Sequence, residues 1–243
     1  MIEVDPEIGD GRSVNVVVGE CNDSYLNDMR GLHVRPEHAS QAIKAALQSN
    51  SRHEGALGAG TGMTCFGWKG GVGSASRTLE GKSGAHTIGT LVVSNFGSAQ
   101  DLQINGIRVG DALMPPTRSP DTSINEPSVA DGSIMIVIGT DLPLTQGGLL
   151  RLAKRAVVGL ARTGSYVSHG SGDIVVAFST VRVESFVAGF EEDGSLMSEA
   201  FRATIEAVEE SVLNSLAMAG TTMGKRGRVV TGFPMEHWAR LHA

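Results

Sequence analysis

Six apolar runs rich in β-branched residues predict the strands of the fold. They cover residues 14–18, 73–79, 86–95, 133–140, 173–179 and 181–187. Apolar residues are nearly continuous in these runs instead of alternating with polar ones. Because such runs are typical of strands buried on both sides, we expect the sheet to be covered on both faces.

Apolar residues at helical spacing predict three helices among these strands. Pro36 suits the first turn of one helix, a second helix begins after the turn at Pro143, and Ser198 is a candidate N-cap for the third. Their apolar stripes are Ala39, Ile43, Ala46 and Leu47; Leu149, Leu152, Ala153, Ala156 and Leu160; and Ala200, Ile205, Val208, Val212, Leu216 and Ala217. Helices beside such strands predict an α/β fold, a layered sandwich of helix, sheet, sheet and helix, in one domain that spans 1–243.

Composition narrows the classes of partner. The chain of 243 residues has a net charge of −6 and no block of five basic residues, so we expect no nucleic-acid partner. No apolar stretch is long enough to span a membrane, and the first residues show no signal peptide, so we expect a cytoplasmic protein without membrane contact. The two cysteines, Cys21 and Cys65, are expected to be buried free thiols with a structural role.

The tripeptide Asp131-Gly132-Ser133 stands directly before the apolar run 133–140 and after a loop rich in proline, 115–130. A hydroxyl at the start of a buried strand lies where the core ends and a cleft can begin. We therefore hypothesise that Ser133 cuts the bond between Gly132 and Ser133. The alternative is a simple turn, which is what most Gly-Ser pairs before strands are.

Several better-known motifs fail on spacing. The segment 81–83 resembles the end of a phosphate loop, but Ser76 stands where that motif needs a glycine. A zinc helix with two histidines four residues apart is absent, as is a Gly-x-Ser-x-Gly nucleophile elbow. We therefore expect no metal and no cofactor, while a Ser-His-Asp triad stays open because its members need not be close in sequence.

The polar loops together resemble one known family. The matching segments are 19–28, 58–63, 69–77, 95–97, 131–133, 161–164, 170–173, 177–180 and 219–223. In this order and over nearly the whole chain, they resemble the self-processing L-aminopeptidase/D-esterase family, which includes the β-aminopeptidases.

That resemblance implies a fold and an activity. The fold is a four-layer αββα sandwich resembling the N-terminal-nucleophile hydrolases. The precursor cuts itself before the serine into two associated chains, here 1–132 and 133–243. The expected function is a serine aminopeptidase or amidase that releases N-terminal amino acids from peptides, amides or esters without a metal, in a homo-oligomer.

Chemistry assigns roles to the polar residues of these loops. Cleavage at Ser133 frees an α-amine, with a reference pKa of roughly 7.7–8.0, beside the hydroxyl, and so creates a nucleophile and its base together. Asn95, at a strand end, suits the stabilisation of an oxyanion. Ser171 and Asp173 are placed to pass or orient a proton, and Glu20 to bind the free amino group of a substrate.

Alternatives remain at this stage. Each candidate also has a purely structural interpretation. Asn95 can cap a turn, and Glu20 can be a solvated loop acid. Ser171 can be a turn hydroxyl, and Asp173 can be an acid at the start of a strand. Some family members carry an aromatic residue where this chain has Asn22, so we expect a changed substrate pocket in which Tyr25 can substitute. Family chains also begin well before the position of Met1, so an inactive or structural homologue is one alternative function. A self-cleaving acyltransferase is another, although that group usually exposes threonine.

Overall fold

The computed structural model describes residues 7–11, 13–48, 53–81, 84–116, 132–181 and 194–241. Its helices are α1 (Pro36–Gln48), α2 (Gln146–Arg162), α3 (Ser195–Ala217) and α4 (Met235–Leu241). Its strands are β1 (Thr64–Cys65), β2 (Trp68–Lys69), β3 (Val72–Gly81), β4 (Gly84–Asn95), β5 (Gln103–Ile104), β6 (Ile107–Arg108), β7 (Ser133–Thr140), β8 (Gly172–Ser179), β9 (Thr222–Met223) and β10 (Val229–Val230).

The long strands form one mixed sheet in the order β3-β4-β7-β8. β3, β4 and β7 are antiparallel neighbours, whereas β7 and β8 are parallel and are joined through α2. Thr145 caps that helix, because its side chain accepts a hydrogen bond of 3.2 Å from the Gly148 N–H. The predicted α/β class is confirmed, and the run 133–140 is a strand with the predicted bounds.

Both long helices pack on one face of the sheet, which we call the inner face. Ile134, Ile136 and Ile138 point into this face and are fully buried, while the residues between them are only half-buried. On the opposite, outer face, Leu91 and Phe178 are 47% and 46% exposed. The prediction of cover on both faces is therefore wrong for the described residues, because the helices that supply the cover share one side.

Two sequence predictions need correction. Residues 14–18 form no strand, and Val16, Val17 and Val18 are 75–83% exposed, because no neighbouring strand pairs with this segment among the described residues. Ser198 is not an N-cap, since α3 already begins at Ser195 and its N-cap is Gly194. The predicted strand 181–187 lies, apart from Val181, outside the described residues.

The third helix approaches the sheet closely through small and hydroxyl-bearing residues. The hydroxyls of Ser211 and Ser215 on α3 meet those of Thr90 and Ser94 on β4 at 2.5 Å. A Cβ atom on Gly73 of β3 would lie 1.9 Å from the Ser211 carbonyl oxygen, so glycine is required for this approach. No helix in the described ranges combines the length and hydropathy needed to cross a bilayer.

We expect Gly73→Ala to lower the free energy of unfolding by about 1–3 kcal/mol, the usual cost of overpacking a filled interior. Urea unfolding measures the change. Gly220→Ala is the matched control, because a Cβ there meets no atom within 4 Å. Equal stability of the two variants would contradict the close packing of α3 on β3.

Candidate active site

Three strand ends meet at one edge of the sheet. β4 ends at Asn95, β7 begins at Ser133 and β8 begins at Gly172, and the register pairs Ser133 with both of the others. The antiparallel pairing of β4 with β7 and the parallel pairing of β7 with β8 bring these termini together. The fold thus gathers polar residues that lie 38 positions or more from one another in the sequence.

The Asn95 side chain is held by three contacts. Its Oδ1 accepts a hydrogen bond of 2.9 Å from the Thr64 N–H. Its Nδ2 donates to the Asn22 carbonyl oxygen at 3.0 Å and to the Ser133 Oγ at 3.4 Å. An N–H donor on one side and a carbonyl acceptor on the other allow only one orientation of the amide, with the NH₂ group toward Ser133.

The peptide bond before Ser133 has a fixed donor on its oxygen. The Gly132 carbonyl accepts a hydrogen bond of 2.9 Å from the Gly172 N–H. A Cβ atom on Gly132 would lie 2.7 Å from the Phe96 Cα, so only glycine fits this position without displacing β4. Asp131 of the predicted motif lies outside the described residues.

Ser171 and Asp173 flank the first residue of β8. The Ser171 Oγ donates a short hydrogen bond of 2.6 Å to the Asp173 Oδ1, and both residues are half-buried. Since Gly172 pairs with Ser133, this hydroxyl–carboxylate pair lies one strand away from the hydroxyl of Ser133.

The loop 19–28 brings further groups to the site. The Cys21 thiol contacts the Ser133 side chain and donates to the Val93 carbonyl at 3.6 Å. Burial raises the pKa of Cys21, the hydrogen bond with Ser133 opposes that rise, and the carboxylates of Glu20 and Asp173 add to it. Glu20 itself is exposed.

Tyr25 of the same loop packs against Arg228, just before β10. The Arg228 guanidinium lies 4.8 Å from the centre of its ring and donates a hydrogen bond of 3.1 Å to its carbonyl oxygen. Asn22 contributes its main-chain carbonyl to the Asn95 amide, and its own Oδ1 accepts from the Ser24 N–H at 3.0 Å.

Sequence reasoning missed two groups that contact the candidate residues, Cys21 and Thr64, and it missed the burial of Lys69, which pairs with Thr64 across β1 and β2. Cys21 lies between two selected residues but was assigned a structural role only, and its contact with Ser133 appears only after folding. Thr64 acts through its main-chain N–H, which carries no sequence signal. Lys69 stands in a matching loop segment, yet no pattern predicts that a lysine followed by two glycines is fully buried. Both cysteines are free and buried, as predicted.

A small, open cleft lies beside Ser171. Its lining includes the edge-to-face rings of Phe66 and Phe96, with centres 5.1 Å apart, and the polar residues Asp101 and Tyr166. Within the described part of the chain, no group of three or more His, Cys, Asp or Glu side chains is arranged to hold a metal ion.

Comparison with known proteins identifies the family of the chain. A family model described as peptidase family S58 matches residues 1–230. The chain belongs to peptidase family S58.

Curated and solved members of the S58 family are similar over most of the chain. The β-peptidyl aminopeptidase BapA of Sphingosinicella microcystinivorans is 40% identical over 231 residues, which is 90% of this chain and 58% of that protein. The crystal structure of the PH0078 protein of Pyrococcus horikoshii has a TM-score of 0.82 at 46% identity, over 99% of this chain and 66% of that one.

The L-aminopeptidase D-Ala-esterase/amidase of Ochrobactrum anthropi is similar with a TM-score of 0.71 at 32% identity. The match covers 90% of this chain and 60% of that one, whose structure is described as a variant of the Ntn hydrolase fold and a prototype of the serine aminopeptidases. The family resemblance inferred from the loops is confirmed. The chain spans less than two thirds of the length of these relatives.

Proposed function

We propose that this S58 member is a self-cleaving serine aminopeptidase or amidase that uses Ser133 as an N-terminal nucleophile. The observation that carries the proposal is the position of the Ser133 Oγ. It lies 3.4 Å from the Nδ2 of Asn95, and the adjacent Gly132 carbonyl already accepts a hydrogen bond from the Gly172 N–H. Similarity to aminopeptidases over nine tenths of the chain supports it.

These contacts support self-cleavage by an acyl shift within one peptide unit. The Ser133 Oγ attacks the Gly132 carbonyl carbon and loses its proton, and the negative oxygen stays on the Gly172 N–H donor. The Ser133 nitrogen takes up the proton that the hydroxyl lost, the C–N bond breaks, and an ester then joins the Gly132 carbonyl carbon to the Ser133 Oγ. Water hydrolyses this ester to a Gly132 carboxylate and a free α-amine on Ser133.

The matured site carries out the same chemistry on a substrate. The Ser133 amine, with a reference pKa of roughly 7.7–8.0, accepts the hydroxyl proton, and the hydroxyl attacks the substrate carbonyl to form an acyl-enzyme. Asn95 donates to the oxyanion. The Ser171–Asp173 pair holds the amine and passes its proton to the leaving amine, and water then releases the acid.

The family supports a peptide, amide or ester as the substrate. The cleft beside Ser171 is open and lined in part by aromatic rings, so its surface suits contact with an apolar part of a small substrate. The exposed carboxylate of Glu20 is our candidate for binding the substrate's free amino group, with Asn22 and Tyr25 as further candidates on the same loop. A cytoplasmic location and a homo-oligomer stay predictions from the sequence.

Intact-mass measurement of the purified chain tests the proposal. We expect two fragments, 1–132 and 133–243, in one domain that stays associated, together with turnover of aminoacyl p-nitroanilides. An intact chain without turnover would contradict it and favour the inactive homologue.

Glu20→Gln is expected to raise KM for substrates with a free amino group about 10-fold and to leave kcat nearly unchanged. A hydrogen bond to a charged group contributes about 1.5–3 kcal/mol, and the exposed position of Glu20 favours the lower end. Initial rates on alanyl p-nitroanilide measure the change. Glu37→Gln on the exposed helix α1 is the control. An unchanged KM would remove Glu20 from the site.

A further inference from the structure

Lys69 is a buried cation whose three donors are all satisfied by main-chain oxygens. Its side chain is 0% exposed. The Nζ donates to the carbonyls of Gly60 at 2.8 Å, Met63 at 2.9 Å and Gly70 at 2.6 Å. Three N–H groups are what an ammonium offers and one more than a neutral amine has, so this set of acceptors fits the charged form.

The charge is retained at neutral pH. Burial lowers the pKa of Lys69 to about 8, and Coulombic interactions with Cys65 and then with Asp23 oppose part of that shift. A buried charge is costly unless it is fully hydrogen-bonded. The ammonium and its three carbonyl acceptors therefore hold one another in position. Loss of the ammonium would remove one hydrogen bond from each of the three carbonyl groups, of which Gly60 and Met63 would keep main-chain donors at 3.3 and 3.1 Å.

One of those carbonyls belongs to the peptide group that orients Asn95. The Met63 oxygen, which binds Lys69, and the Thr64 N–H, which binds the Asn95 Oδ1 at 2.9 Å, are the two ends of the same planar unit. The cation, together with the Gly70 N–H that binds the same oxygen at 3.1 Å, holds the plane of this unit. It also polarises the unit, which strengthens the N–H as a donor.

The Asn95 amide is the next member of this series of contacts. With its Oδ1 held by Thr64, its Nδ2 faces the Asn22 carbonyl and the Ser133 Oγ. A rotation of the 63–64 peptide would withdraw the N–H and free the amide to turn its oxygen toward the place where an oxyanion forms. The Asn95 oxygen would then repel the oxyanion, whereas the NH₂ group stabilises it.

We propose that Lys69 is a positioning residue for the reaction, acting through the Met63–Thr64 peptide to hold the Asn95 amide with its NH₂ group toward the nucleophile. This inference rests on the proposed function. It adds a residue that touches neither the substrate nor the reacting atoms.

A double-mutant cycle with Lys69→Met and Asn95→Ala tests the inference. We expect Lys69→Met alone to lower kcat and the rate of self-cleavage about 10- to 100-fold, the size of effect of a small misplacement of a catalytic group. KM should change less than about threefold, because substrate binding uses other groups. In the Asn95→Ala background the same change should lower kcat by less than about twofold, because there is no amide left to orient.

Two further variants separate positioning from folding. Thr204→Val removes another buried donor, the hydroxyl that bonds the Ala200 carbonyl at 2.8 Å within α3, and should lower stability without lowering kcat. Lys69→Arg keeps a cation and should retain more turnover than Lys69→Met. If Lys69→Met fails to fold, the cycle is run with Lys69→Arg.

Two results would overturn the inference. One is that Lys69→Met lowers kcat by the same factor in the unaltered protein and in Asn95→Ala. The other is that Lys69→Met raises KM and leaves kcat unchanged. If the unaltered protein neither cuts itself nor turns over substrate, the proposed function fails and this inference fails with it. If the unaltered protein is active and the effects of Lys69→Met and Asn95→Ala are additive, only the role of Lys69 is overturned.

Discussion

Ser133→Ala is expected to leave the chain uncut and without turnover. The change removes the Oγ that lies beside the Asn95 amide, and with it the attack on Gly132. Because no α-amine is then freed, nucleophile and base are lost together, and we expect turnover to fall by about 10⁴- to 10⁶-fold. Intact mass and p-nitroanilide hydrolysis measure the two effects on one sample.

Two variants make that result specific to the reacting hydroxyl. Ser179→Ala removes a hydroxyl from the opposite end of β8, where it bonds the Leu142 carbonyl at 2.7 Å, and should leave cleavage and turnover intact. Ser133→Cys retains a nucleophile and should still cut, at a different rate. Full turnover by an uncut Ser133→Ala chain would refute the mechanism at its first step.

Asn95→Ala is expected to lower kcat about 10²- to 10³-fold, equivalent to about 2.7–4 kcal/mol of transition-state stabilisation. The amide donates to the Ser133 hydroxyl, and its orientation points the NH₂ group toward the place where an oxyanion would form. Self-cleavage should slow as well, but less, because the Gly132 oxygen keeps the Gly172 N–H. Steady-state rates and the time course of fragment appearance measure the two losses.

Asn95→Asp sharpens the test of this donor. The carboxylate keeps an oxygen for the Thr64 N–H but presents a second oxygen, not an NH₂ group, to Ser133, so it should be at least as impaired as alanine. Asn214→Ala is the control, since that amide donates to the Ser74 carbonyl at 2.9 Å and braces α3 on β3. A loss in KM alone, with kcat retained, would assign Asn95 to substrate binding.

The long periodic segments of the fold could be predicted from the sequence. β7 and the crossover helix α2 were found because each has a strong pattern and lies between loop residues or caps. The run 14–18 has as strong a strand pattern and yet forms none. A strand needs a neighbour for its backbone hydrogen bonds, and the pattern of one segment does not reveal whether a neighbour exists.

The candidate site, like the fold, could be predicted only in part from the sequence. Glycine-rich loops in family order identified Ser133, Asn95, Ser171 and Asp173 before any geometry was known, and the structure brings them to one edge of the sheet. The main-chain carbonyl of Asn22 accepts from the Asn95 amide, and the charge of Glu20 acts on the neighbouring Cys21, whereas Tyr25 is stacked against Arg228. Side chains of one loop point in different directions, which the order of residues does not reveal.

By itself, the sequence determined where the long helices and the strands of the main sheet lie, though not that the run 14–18 stays unpaired, and which functional groups the loops carry. These features depend on residues close together in the chain. Only the tertiary structure decided which face of the sheet the helices cover, and that the buried ammonium of Lys69 and the Asn95 amide hold opposite ends of one peptide group. The physical reason is that a hydrogen bond needs its two atoms within about 3 Å at a fixed angle. Between residues 31 positions apart, only the folded chain meets that condition.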